Sequence, residues 1–176
     1  MRRQTIVQGE HAVIAEPDVV VTTILGSCVS VCLYDPERRM GGMNHFLLPQ
    51  PVGGSLRGIA DPQRYGIHAM EVLINALMAR GAERSRLRAH CYGGAQVVAG
   101  LGEIGAENVA FARHFLATEG IAVAHEDLGG RHARRVEFMP YLGRSRCLAV
   151  REAAPLANVR VPVPVPERAG ELELFG

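Results

Sequence analysis

Residues 19–47 leave no room for a helix. Residues 19–24 and 29–34 are rich in β-branched and apolar side chains, and residues 41–47 form a third such run. The segment therefore reads as three consecutive strands. Asp35-Pro36-Glu37-Arg38-Arg39 supplies the turn that closes the second and third strands into a hairpin. Between the first two strands the only punctuation is Gly26-Ser27, which puts a bend directly before Cys28. The alternation of a strand places Val29, Val31 and Leu33 on one face, so Cys28 and Cys32 fall on the other.

The rest of the chain changes period. Gly53-Gly54-Ser55 reads as a loop, and Asp61-Pro62 as a helix cap with proline in the first helical position. Ile67, Met70, Leu73, Ile74, Leu77 and Met78 then recur at helical spacing until Gly81 stops the run. A short strand over 87–91 runs into Gly93-Gly94. A second helix follows over about 106–118, with Val109, Ala112, Phe115 and Leu116 inward and Gly120 as terminator. Residues 121–125, 134–138 and 147–150 predict further strands. Mixed strands with two main helices make an α+β, layered fold, with one domain over 1–158. Residues 159–176 alternate valine and proline, and proline cannot donate to a ladder, so this tail belongs on an edge or in an extended segment.

Composition excludes several roles. All 19 basic residues are arginine, balanced by 18 acids for a net charge of +1, and they are scattered. No basic stripe marks a nucleic-acid surface. The uncharged stretch between Asp18 and Asp35 is interrupted by polar residues and is shorter than the roughly 20 residues that span a bilayer, so no membrane insertion is expected. The N-terminus lacks the apolar core of a secretory signal. Four cysteines without a Cys-x-x-Cys pair fit a reduced, cytoplasmic protein rather than a stapled one. Cys28-x-x-x-Cys32 has no matching second pair, so no metal site is expected. Gly93-Gly94 and Gly129-Gly130 match neither dinucleotide nor phosphate-loop spacing. They read as turns, although Glu126-Asp127-Leu128-Gly129-Gly130 is dense enough to shape a loop near a site.

Cys28 carries the chemistry. Gly26 and Ser27 let consecutive backbone N–H groups point at one developing oxyanion, and the bend exposes the thiol. His45, one hairpin later, is placed to take the thiol proton and return it to a leaving amine. Pairing with an imidazolium would lower the thiol pKa. A third group normally orients such a histidine. Asn44 is adjacent but points to the opposite face, whereas the Thr22 hydroxyl could accept an imidazole N–H. Cys32, Cys91 and Cys147 read as packing.

These residues resemble a known family, the chemoreceptor glutamine deamidases of bacterial chemotaxis. The likeness rests on TTILGSCVSVCLYDPERRMGGMNHFLLP, the Tyr92-Gly93-Gly94-Ala95 turn, Ile104-Gly105-Ala106-Glu107-Asn108 and Glu126-Asp127-Leu128-Gly129-Gly130. It covers roughly residues 8 to 150 in order. By position, Cys28 matches the family's nucleophile, His45 its base and Thr22 its hydroxyl residue. The resemblance implies a sandwich of mixed β-sheets flanked by helices, similar to the catalytic domain of glutamine-deamidating toxins. It also implies hydrolysis of glutamine side chains to glutamate on the cytoplasmic helices of methyl-accepting chemotaxis receptors, without a cofactor. A CheC-type phosphatase is the implied regulatory partner. The chain departs from the pattern at Glu107, where arginine is common, and at Arg131, where asparagine is usual. Two other readings compete: a binding module that mainly regulates such a phosphatase, and another thiol hydrolase, a protease or receptor methylesterase.

Overall fold

The computed structural model describes residues 1–50, 61–99 and 103–150. The Gly53-Gly54-Ser55 loop and the Val-Pro tail lie outside them. In chain order the elements are β1 (Arg2–Thr5), β2 (His11–Ile14), β3 (Val19–Leu25), β4 (Val29–Asp35), β5 (Met40–Asn44), α1 (Pro62–Ala79), β6 (Arg88–Gly93), α2 (Ile104–Thr118), β7 (Ala122–Leu128), β8 (Arg134–Met139) and β9 (Arg144–Ala149).

The strands form two mixed sheets, ordered β1-β3-β8-β9 and β2-β5-β4-β6-β7. Two apolar clusters define the layers. Val21, Leu25, Cys32, Met43, Tyr92, Val136 and Phe138 fill the space between the sheets. Val29, Val31, Leu33 and Phe46 pack on the other side of the larger sheet, against Met70, Leu73, Ile74, Leu77, Ala112 and Leu116 of the helices. The order is sheet, sheet, helices, the layered α+β architecture expected. Because β4 is covered on both faces, its alternation does not separate buried from exposed. Cys32 is as fully buried as Val31.

Local chemistry explains the helix ends. Asp61 Oδ1 accepts the Gln63 N–H, Pro62 occupies the first turn, and the chain leaves α1 through Gly81 at φ +96°. Gly66 faces α2 so closely that an added Cβ would stand 2.5 Å from Phe111 Cζ. Ile67 and Met78, which share the helical spacing, stay exposed at the margins of that stripe.

Two strands escaped the sequence reading. β1 is only Arg-Arg-Gln-Thr, exposed throughout, and it forms by pairing in parallel with β3. β2 is four residues long and pairs with β5. The third predicted strand ends at Asn44, earlier than its apolar run. The Asn44 side chain accepts the Val31 N–H, and the His45 N–H turns to Glu10 O.

The hairpin turn is organised by Asp35, which is fully buried. Its carboxylate accepts the N–H groups of Glu37, Arg38 and Glu83 and a two-pronged contact from Arg86 at 2.9–3.1 Å. Burial pushes its pKa up, but Arg86 and the three amides outweigh that and hold it at about 2. A depressed carboxylate stabilises the fold above its unfolded value of 3.8, and that stability is lost as pH falls toward 2. Asp35→Ala should cost about 3 kcal/mol in urea unfolding at pH 7, the range for removing one partner of a buried ion pair. The deficit should shrink as pH is lowered through that window.

Candidate active site

The pairing that joins Cys32 to Met43 carries on, in the same register, to a bridge between Val29 and Phe46. Val29 N–H donates to Phe46 O at 3.0 Å and Phe46 N–H to Val29 O at 2.9 Å. One step from that bridge, Cys28 comes opposite Leu47 and Ser30 opposite His45. Cys28 packs against the cluster between the sheets and His45 reaches Thr23 of the smaller sheet, so both leave on the side facing that sheet. Cys28 and His45 are thus diagonal neighbours on one face, a placement with Cα atoms about 7–8 Å apart and within reach of longer side chains.

His45 is buried and reaches across to β3, where its Nδ1 lies 2.8 Å from Thr23 Oγ1. The Thr23 hydroxyl donates its one proton to Ile6 O at 2.8 Å. It must therefore accept from His45, which fixes Nδ1 as the protonated nitrogen and leaves the Nε2 lone pair free. Nε2 is buried and has no hydrogen-bond partner. The hydroxyl within hydrogen-bond distance of His45 in this structure is that of Thr23, not the expected Thr22. The reason is the two-residue period of β3. Thr23 follows Val19 and Val21 inward, whereas Thr22 shares the outer face with Ile24, which is 54% exposed.

The bend before Cys28 is held at each carbonyl. Gly26 O accepts from Ala95 N–H at 2.9 Å, Ser27 O from Asn108 Nδ2 at 2.9 Å, and Cys28 O from Gly94 N–H at 2.7 Å. With the carbonyls turned inward, the N–H groups of Ser27 and Cys28 donate to no oxygen among the described residues, as an oxyanion site requires. The opposing turn needs glycine. Gly93 sits at φ +109°, and a Cβ there would stand 2.1 Å from Cys28 O. Gly129 N–H donates to Gly93 O, Gln96 N–H donates to Gly130 O, and Arg134 donates to the carbonyls of Asp127 and Gly129. The two Gly-Gly turns form one support behind Cys28.

Asn108 escaped the sequence reading although its motif was noted. Fully buried on α2, it accepts Leu48 N–H through Oδ1 at 2.9 Å while donating to Ser27 O. It ties both arms of the site, the Ser27 bend and the segment beyond His45, to one helix. A polar residue among the inward positions of an apolar helix is the signal that marks it. Glu107, a departure from the family pattern, lies outside this network and accepts from Gln50 at 3.0 Å on the surface.

The electrostatics correct one expectation. Burial raises the Cys28 thiol pKa above its ordinary value, partly offset by its own backbone N–H, and burial lowers that of His45. Both shifts favour the uncharged forms, thiol and neutral imidazole, over a thiolate–imidazolium pair. The half-buried sulfur does not contact Nε2 but donates to Gln8 Oε1 at 3.6 Å. Cys32 and Cys91 are buried, with thiol pKa values raised by burial, in keeping with packing roles. On one side of the site a cavity of about 270 Å³ is lined by Glu10, His45, Tyr65 and His68. On the other, Ser27 borders a small cleft with Val97 and Val98, which are 47% and 55% exposed. No helix among the described residues is long and apolar enough to cross a membrane.

Comparison with known proteins gives a consistent answer. The family model described as CheD chemotactic sensory transduction matches residues 47–148. Three proteins, each named "Probable chemoreceptor glutamine deamidase CheD", are similar over nearly the whole chain. The protein from Zymomonas mobilis is 50% identical over 99% of this chain and 93% of its own. That from Agrobacterium fabrum is 47% identical over 99% and 97%, and that from Caulobacter vibrioides 49% over 97% and 91%. Among solved structures, Bacillus licheniformis hypothetical protein YfiH aligns with a TM-score of 0.44 at 15% identity, covering 66% of this chain and 49% of that one.

Asn108→Leu, close to isosteric, should strand two buried backbone groups and cost about 2–4 kcal/mol in urea unfolding, since each unsatisfied group costs about 1–3 kcal/mol. Asn108→Asp keeps the acceptor for Leu48 and loses only the donor to Ser27, so its deficit should be smaller.

Proposed function

Because the chain belongs to the CheD chemotactic sensory transduction family, we propose that it hydrolyses glutamine side-chain amides of chemoreceptors to glutamate. Cys28 is the nucleophile, His45 the base and Thr23 the orienting hydroxyl. The observation that carries this reading is the unpartnered, buried His45 Nε2 on the face that also bears Cys28.

The reaction begins with a neutral pair. As the glutamine carbonyl settles against the bend, the thiol turns from Gln8 to Nε2, and His45 takes its proton while sulfur attacks the amide carbon. The N–H groups of Ser27 and Cys28 receive the tetrahedral oxyanion; one such donor contributes about 3 kcal/mol. His45, now an imidazolium held through Nδ1 by Thr23, gives the proton to departing ammonia and leaves a thioester. It then deprotonates the water that releases glutamate. Every step uses side chains already in place and calls on no cofactor. The exposed Val97 and Val98 beside the bend fit a substrate that presents an apolar helix face, the form of a receptor's cytoplasmic coiled coil.

Incubation with a receptor cytoplasmic fragment, followed by mass mapping, tests the activity. Gln-to-Glu conversion without backbone cleavage is expected, and cleaved peptides would overturn it. Cys28→Ala should abolish conversion while retaining the fold. Thr23→Val should lower kcat about 10–100-fold by freeing the imidazole tautomer, whereas Thr22→Val should stay within about threefold of wild type. Because burial holds His45 below its ordinary 6.5, the neutral base persists to lower pH. The acid limb of kcat/KM should therefore fall below pH 6.5.

A further inference from the structure

Among the described residues, the polar side chain within hydrogen-bond distance of the Cys28 sulfur is neither the histidine nor the threonine. It is Gln8, whose Oε1 accepts from Cys28 Sγ at 3.6 Å. Gln8 sits in the turn between β1 and β2, and that turn is fastened to the strand carrying the base. Gly9 N–H donates to His45 O at 2.8 Å, and His45 N–H donates to Glu10 O at 3.0 Å. Glu10 Oε2 also accepts Val7 N–H at 2.9 Å, and Gly9 takes φ +88° to complete the reversal. A side chain at position 8 is thereby set over the sulfur by the backbone that sets His45.

A primary amide offers two faces. Its oxygen accepts from a neutral thiol, and a half-turn about its terminal bond presents Nε2–H instead. The charge at this sulfur changes sign of preference during the reaction: the resting thiol needs an acceptor, while thiolate and tetrahedral oxyanion need a donor. A carboxylate at the same place could serve only the first state, and an apolar residue neither.

Resting on the thiol chemistry proposed above, we propose that Gln8 is a catalytic residue of this chain. It accepts from the Cys28 thiol at rest and donates Nε2–H to the anionic sulfur or the developing oxyanion, beside the N–H groups of Ser27 and Cys28. The side chain is exposed, so water competes with it and its contribution is smaller than that of a fully enclosed donor.

The test uses the full-length protein and its variants Gln8→Leu and Gln8→Glu, with two readouts. The first is the rate of Cys28 alkylation by iodoacetamide against pH, followed by peptide mass mapping. Loss of the donor should slow alkylation at pH 7.5 about three- to tenfold in Gln8→Leu and more in Gln8→Glu, where a negative charge faces the sulfur. The second is turnover on a receptor fragment. In Gln8→Leu, kcat should fall roughly 10–50-fold, below the range for an enclosed oxyanion donor, with KM nearly unchanged. Thermal melting unchanged from wild type separates this from collapse of the turn. Alkylation and kcat both equal to wild type in Gln8→Leu would overturn the proposal. So would recovery of position 8 as glutamate from the wild-type protein, since Gln8 would then be a substrate in cis. If wild type fails to deamidate receptors while the alkylation shift is present, the receptor reading falls and the coupling of Gln8 to the sulfur stands.

Discussion

A pair of backbone hydrogen bonds, Val29 to Phe46 and back, decides where everything else in the site can be. The bridge stands apart from the β4–β5 ladder. The ladder gives way at Asn44 and His45, whose polar groups go to Val31, α1 and Glu10, and is taken up again one residue later in the same register. A slip of one residue would send His45 into the helix-facing core and Phe46 toward the sulfur. The bulk of Phe46, locked edge-on against Phe111 in the helix layer, resists that slip. Packing on one side of the sheet thus enforces chemistry on the other.

Much of this was legible from residue order. The strands β3 and β4, the Asp35 turn, the Asp61-Pro62 cap and the stop at Gly81 are each set by local chemistry, and each stands where the pattern put it. The bend before Cys28 and the hairpin that returns His45 follow from the same patterns. What escaped was set by partners distant in the chain. Arg2–Thr5 has no apolar rhythm and is a strand only because β3 offers it an edge. Asn108 and Gln8 act on groups 81 and 20 residues away in the chain, respectively. The choice between Thr22 and Thr23 depends on which face of β3 turns toward the second sheet, and a run of valines and threonines buried to different degrees does not reveal that.

Polar groups at the site sort by whether their bonds are complete. Asn108 makes two buried bonds and holds the frame. Thr23 spends its proton on Ile6 and its lone pair on His45. Among the described residues, His45 Nε2 and Ser30 Oγ, on the same face, are the two buried side-chain nitrogen or oxygen atoms without a partner. Buried polar atoms normally find one, and each exception calls for an explanation. For Nε2 the mechanism proposed above supplies one, a proton taken from the Cys28 thiol.

The raised thiol pKa of Cys28 has a bearing on how the protein weathers its surroundings. Peroxides attack thiolates far faster than thiols. A sulfur whose ionisation burial disfavours is a poor target for peroxide. On the proposed mechanism, the same desolvation shelters Cys28 from overoxidation between turnovers, and idle protein should keep its activity in an environment that inactivates a permanently ionised cysteine.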